Sequence, residues 1–144
     1  MLVDNNGTFI TQRKIAQMTL LGITESWHAG GDWGVTIQTS QSVELPEQCE
    51  QALSFSVAEN FAMNELLSVE VWGDVCEGKV ADDFINQWLS LVLDIPCRLV
   101  FMEATYYRNV DKEYSKNNEK VSFADGFPLM LTTESSLTEF NEHL

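Results

Sequence analysis

Leu67-Ser68-Val69-Glu70-Val71-Trp72 and Ala81-Asp82-Asp83-Phe84-Ile85-Asn86-Gln87-Trp88-Leu89-Ser90-Leu91-Val92-Leu93 lie close together in the sequence and obey different periods. In the first, Leu67, Val69 and Val71 alternate with Ser68, Glu70 and Trp72, which is the pattern of a half-buried strand. In the second, Phe84, Ile85, Trp88, Leu89, Val92 and Leu93 recur at spacings of three and four, so one apolar stripe runs along a helix. Asp82 and Asp83 stand in its first turn, where the helix dipole favours negative charge, and Pro96 prevents its continuation. Adjacent helix residues point about 100° apart, so these two carboxylates do not converge on one site.

Working outward, the same reading gives several more short strands. Gly34 to Thr39 and Leu53 to Val57 alternate, and Met18 to Trp27 reads as a strand ending near Gly30-Gly31. Met1-Leu2-Val3 and Thr8 to Thr11 flank Asp4-Asn5-Asn6-Gly7, a hairpin signal because Asn-Gly accepts the positive φ of a tight turn. A strand that starts at residue 1 leaves an open edge, which points to sequence upstream. Val43 to Gln51 and the polar stretch Glu103 to Lys120 read as loops, and Ala58 to Glu65 as a loop or one helical turn. Arg98 to Met102 and Leu129 to Thr132 read as strands. Thr133 caps a last helix, Glu134 to Glu142, with Leu137 and Phe140 facing inward. The expected fold is one α+β domain over residues 1–144, a mostly antiparallel barrel-like sheet with two helices.

Charge narrows the partners. Asp and Glu number 22 against 8 Lys and Arg, a formal net charge of −14, and no Lys or Arg occurs between Ile15 and Gly78. Such a surface repels phosphate backbones and anionic lipid heads, so nucleic acid and membranes are excluded as expected partners. Cys49, Cys76 and Cys97 form no C-x-x-C and have no histidine near them in sequence, which argues against a zinc site or a disulfide framework. Free thiols, no signal peptide and no long apolar run together suggest a soluble, cytoplasmic chain.

No nucleotide-binding, hydrolase or metalloprotease motif is present, and the two histidines, His28 and His143, read as surface side chains. Two places retain interest. Arg13 and Lys14 are the only basic side chains among the first 78 residues. Ser122-Phe123-Ala124-Asp125-Gly126-Phe127-Pro128 places a glycine and a proline around a tight loop, with one carboxylate and accessible N–H groups. A plain turn explains this loop equally well on sequence alone.

At these positions the chain resembles the N-terminal module of MOSC-domain molybdenum proteins. Met1-Leu2-Val3-Asp4 through Arg13-Lys14 to Met18 is similar to the family's W-M-V-V-D-x-x-G-x-F-L-T-x-R-x-x-P-x-M. Val71-Trp72-Gly73-Asp74 resembles V-W-G-D, and Trp88-Leu89-Ser90 with Pro96-Cys97-Arg98-Leu99-Val100 resembles W-L-S-x-x-L-x-x-P-V-R-L-V. Val121 to Leu129, then Glu134-Ser135-Ser136-Leu137 and Asn141, is similar to V-S-F-A-D-G-Y-P-L-L-L-x-S-E-A-S-L-x-x-L-N. Bacterial YcbX-like proteins and the mitochondrial amidoxime-reducing component are the relatives this pattern suggests.

The resemblance implies a molybdenum cofactor (molybdopterin), held between this module and a C-terminal MOSC domain, that reduces small N-hydroxylated substrates with a redox partner. It places the metal's cysteine ligand in the C-terminal half and the P-V-K-S and G-D-R phosphate contacts before Met1. The chain is therefore expected to be a partial module, with no catalytic or metal-ligating residue and no tightly bound cofactor. The cofactor-facing residues carried over are Asp125, Gly126 and Phe127, with Arg13 as an anion contact. The rival readings are a stand-alone acidic interaction domain and a small enzyme built on Cys76.

Overall fold

The structure, a computed structural model, describes residues 1–27, 31–40, 42–47, 49–61, 65–106, 108–127 and 131–143. It is α+β and divides into two compact units, Met1–Tyr107 and Arg108–Leu144. In the first unit, β1 (Leu2–Val3), β7 (Arg98–Phe101), β6 (Asp74–Val80) and β5 (Leu66–Val71) form an antiparallel sheet in that order. A second antiparallel sheet holds β2 (Leu21–Trp27), β3 (Trp33–Thr39) and β4 (Ala52–Ser56). Two helices, α1 (Val57–Phe61) and α2 (Asp83–Leu93), complete the unit. The second unit has a short pair, β8 (Arg108–Asn109) with β9 (Lys120–Val121), and α3 (Glu134–Glu142).

The hairpin at residues 1–11 forms as its sequence dictates. Asp4 Oδ1 accepts from the N–H of Asn6 at 2.8 Å and of Thr8 at 2.9 Å, and Gly7 takes φ +83°. A side chain at Gly7 would place its Cβ 2.3 Å from the Ser68 carbonyl oxygen, so only glycine fits. That close approach lets Phe9 N–H donate to Glu70 O, and Glu70 N–H to Gly7 O, joining the hairpin to the β5 edge. This seam is a single bridge, and the strand ladders do not close into a barrel.

The core lies where α2 crosses the sheets. Ile85, Trp88, Leu89, Val92 and Leu93 bury against Leu2, Ile37, Phe55 and Phe61. Three polar groups fix the helix. Asn86 Nδ2 donates to Ala81 O while its Oδ1 accepts from Leu99 N–H, each at 2.8 Å. Ser90 Oγ bridges the N–H and C=O of Cys97, and Trp88 Nε1 donates to Glu50 O at 2.9 Å. Asp94, at φ +53°, ends the helix in the left-handed conformation, with Asp94 and Ile95 N–H groups folding back onto Leu91 and Ser90 carbonyls. The carboxylate of Asp82 turns to Asn60 Nδ2 on α1, at 2.8 Å, rather than capping its own helix.

Several expectations are corrected. The single barrel-like sheet is instead separate sheets among the described residues, with Leu66–Val71 paired to Asp74–Lys79 in one and the strands at Gly34–Thr39 and Leu53–Val57 in another. Among the described residues there are three α-helices rather than two, because the segment after Ser56 makes a short one capped by Ser56 Oγ. Met18–Leu20 belongs to a 3-10 turn before β2, and Glu103–Lys120 contributes both short strands of the second unit. Phe84 is exposed, on the side of α2 away from the core. Leu137 and Phe140 are exposed as well, since α3 buries no residue among those described. Leu131 and Thr132 are not in a strand, and Leu129 and Met130 lie outside the described residues.

Candidate functional site

The second unit is built around one buried cation. β8 and β9 bring Val110 and Val121 inside, and Arg108 is buried beside them at 9% exposure. Its Nη1 donates to Ser122 O at 3.1 Å and to Ala124 O at 2.8 Å, and its Nη2 to Asp125 O at 3.3 Å. The planar guanidinium fork reaches several acceptors at once, so one side chain gathers the loop after β9. Across this loop the Phe127 ring meets Tyr114 edge to face, 6.4 Å between centroids.

Asp125, Gly126 and Phe127 are contiguous and exposed on this loop. Gly126 has no left-handed φ, and among the described residues a Cβ there would meet nothing within 4 Å. No described neighbour therefore requires glycine at this position, whereas at Gly7 the Ser68 carbonyl does. Pro128, the other half of the tight-loop signal, lies outside the described residues. Arg13 belongs to the first unit, exposed on the turn in which Lys14 and Ile15 N–H groups donate to Thr11 O. Sequence reasoning passed over Arg108, one of four basic residues in a stretch read as loop; its position just before a strand was the available signal.

Glu119 stabilises the neighbouring turn. It accepts from the Ser115 hydroxyl and from Asn117 N–H, and these bonds, the hydroxyl's first, hold its carboxyl down at about 2. The three cysteines lie in the first unit and form no disulfide, Cys97 buried and Cys49 and Cys76 half-buried. Burial pushes the Cys97 thiol up, away from the reactive thiolate. Among the described residues, no group of three or more His, Cys, Asp and Glu is placed to hold a metal ion. His28 lies outside the described residues, and His143 caps the end of α3. Among the described residues, no helix is long and apolar enough to cross a membrane.

An open groove of about 690 Å³ runs along α2 past Asn86, Ser90, Asp94 and Arg98. Asn86 and Ser90 spend hydrogen bonds on the backbone around β7, and Arg98 Nη2 donates to Asn5 O while its buried Nε has no partner among the described residues.

Comparison with known proteins adds kinship. Residues 1–96 match the MOSC N-terminal beta barrel domain family. The whole chain is similar to a molybdenum cofactor sulfurase of Oryza sativa subsp. japonica, 24% identical over 151 residues. It spans 17% of the length of that relative. No solved structure matches the chain.

Proposed function

Because the chain belongs to the MOSC N-terminal beta barrel domain family, we propose that it is a non-catalytic module that helps a larger protein bind the molybdenum cofactor. The bound group supplies the redox chemistry, and this chain supplies contacts from Asp125, Gly126 and Phe127. The observation that carries this reading is Gly126: an exposed glycine that no described neighbour requires leaves room for a ligand to approach the backbone. The residues fit pterin contact and not metal ligation. The loop offers N–H groups and a carboxylate, while the three cysteines belong to the other unit.

The natural partner in this reading is a C-terminal MOSC domain that completes the cofactor site. The parent then positions small N-hydroxylated substrates for reduction in the cytoplasm, fed by a redox partner. The similarity to a molybdenum cofactor sulfurase favours a second reading of the parent, in which the cofactor is the substrate rather than the catalyst. Assaying a full-length parent for amidoxime reduction and for sulfur transfer separates the two. A stand-alone acidic interaction domain is the reading to which failure of both assays would lead.

The module's own role is tested by titrating the chain with a pterin monophosphate and following amide resonances. The few contacts carried here support binding no tighter than about millimolar, near −4 kcal/mol. Shifts centred on Ala124–Phe127 are expected. In the parent, Asp125→Ala and Gly126→Val should lower cofactor occupancy; full occupancy in both variants would reduce the loop to a turn.

A further inference from the structure

The exposed loop has a buried side, and what stands behind it is Arg108. Three carbonyls, those of Ser122, Ala124 and Asp125, turn toward its guanidinium. No cis peptide bond occurs in the described chain, and in a trans peptide the C=O and N–H of one unit point in opposite directions. The N–H groups sharing those units belong to Phe123, Asp125 and Gly126, so they turn away from Arg108. Among the described residues, these amides donate to no backbone carbonyl. Those of Asp125 and Gly126 sit on exposed residues.

We propose that Arg108 is a positioning residue for the candidate site, holding three carbonyls inward so that the Asp125 and Gly126 N–H groups face outward as a paired donor for an oxyanion. This rests on the cofactor-contact reading of the same loop and names the residue that shapes it. Successive outward N–H groups make a concavity suited to an anionic oxygen, and a cation behind them raises the local potential. The Asp125 carboxylate beside them disfavours a bare anion. The ligand it suits is a heterocycle with N–H donors that also carries an oxyanion, the chemistry of a pterin phosphate. Lysine in place of Arg108 would keep the charge but not the fork, so it could not orient three carbonyls together.

The test uses the whole chain with ¹⁵N amide resonances, comparing wild type, Arg108→Gln and Arg108→Lys, each titrated with a pterin monophosphate and separately with inorganic phosphate. In Arg108→Gln the free-chain resonances of Phe123, Asp125 and Gly126 should move. Affinity for the pterin monophosphate should fall by about tenfold or more. Arg108→Lys should keep the dispersed Val110 and Val121 signals yet fail to restore affinity, and inorganic phosphate should bind wild type more weakly than the pterin monophosphate. Wild-type affinity in Arg108→Lys would assign the effect to charge and overturn positioning, as would unmoved loop amides in Arg108→Gln. If Arg108→Gln loses the Val110 and Val121 dispersion, the lysine variant decides alone by the same two readouts. If wild type binds no pterin monophosphate, the cofactor reading fails. Loop amides that move in Arg108→Lys would still support the positioning role, and loop amides that stay would overturn it.

Discussion

Met1–Tyr107 and Arg108–Leu144 are held by different forces. The first unit buries a continuous apolar cluster under α2, and its polar bonds serve to fix that helix. In the second, the buried residues among those described are Arg108, Val110 and Val121, and α3 contributes none. A guanidinium on three carbonyls and a carboxylate on a turn do there what hydrocarbon packing does in the first unit. Apolar burial is non-directional and scales with area, whereas these bonds are directional and local. The loop with the candidate ligand contacts is therefore shaped by geometry rather than by bulk, and is sensitive to single polar changes.

Four experiments bear on this contrast. Trp88→Ala removes a ring that is 7% exposed and bonded to Glu50 O, and should cost about 3–5 kcal/mol in chemical denaturation. An unchanged midpoint would contradict the position of α2. Gly7→Ala forces a Cβ against the Ser68 carbonyl at φ +83° and should cost roughly 2–4 kcal/mol, with slower refolding as a second readout. The second unit should respond to acid at its Glu119 turn. Because folding depresses the Glu119 carboxyl from 4.5 to about 2, its turn is fully stabilised above 4.5 and loses that support as pH falls toward 2. The Asn117 amide shift should therefore titrate near pH 2; a midpoint at 4.5 would refute the hydrogen bonds. Smallest of all, Leu137→Ser with Phe140→Ser should change the stability by less than about 1 kcal/mol, because both side chains are more than half exposed.

What the sequence revealed and hid follows the same division. The α2 stripe, the first hairpin, β3, β4, β5 and the Thr133 cap were legible because periodicity and turn chemistry agreed with the tertiary structure. β6 was not. Its turn is Trp72-Gly73, with φ +55° and +86°, where asparagine or aspartate would have signalled a hairpin. The bulky Trp72 is tolerated there against the Phe9 ring, 4.7 Å away, a contact between residues far apart in sequence. Within β6, Glu77, Gly78 and Lys79 also blur the alternation. Phe84, Leu137 and Phe140 misled because a helical stripe states which residues share a face and not whether anything covers it. At the site, Asp125, Gly126 and Phe127 emerged from resemblance. Arg108 did not, since nothing in a polar run marks which cation will be buried.

The pairing of the chain's first strand with one near residue 100 has a kinetic consequence. Met1 and Val100, 99 residues apart, exchange hydrogen bonds at the end of the β1–β7 ladder. Closing so long a loop must precede any reward from the contact, so the β1–β7 pairing is among the slower steps in forming the first unit. During synthesis β1 has to wait for β7 to leave the ribosome before the two can pair, and over that interval its backbone groups on that side are exposed to wrong partners.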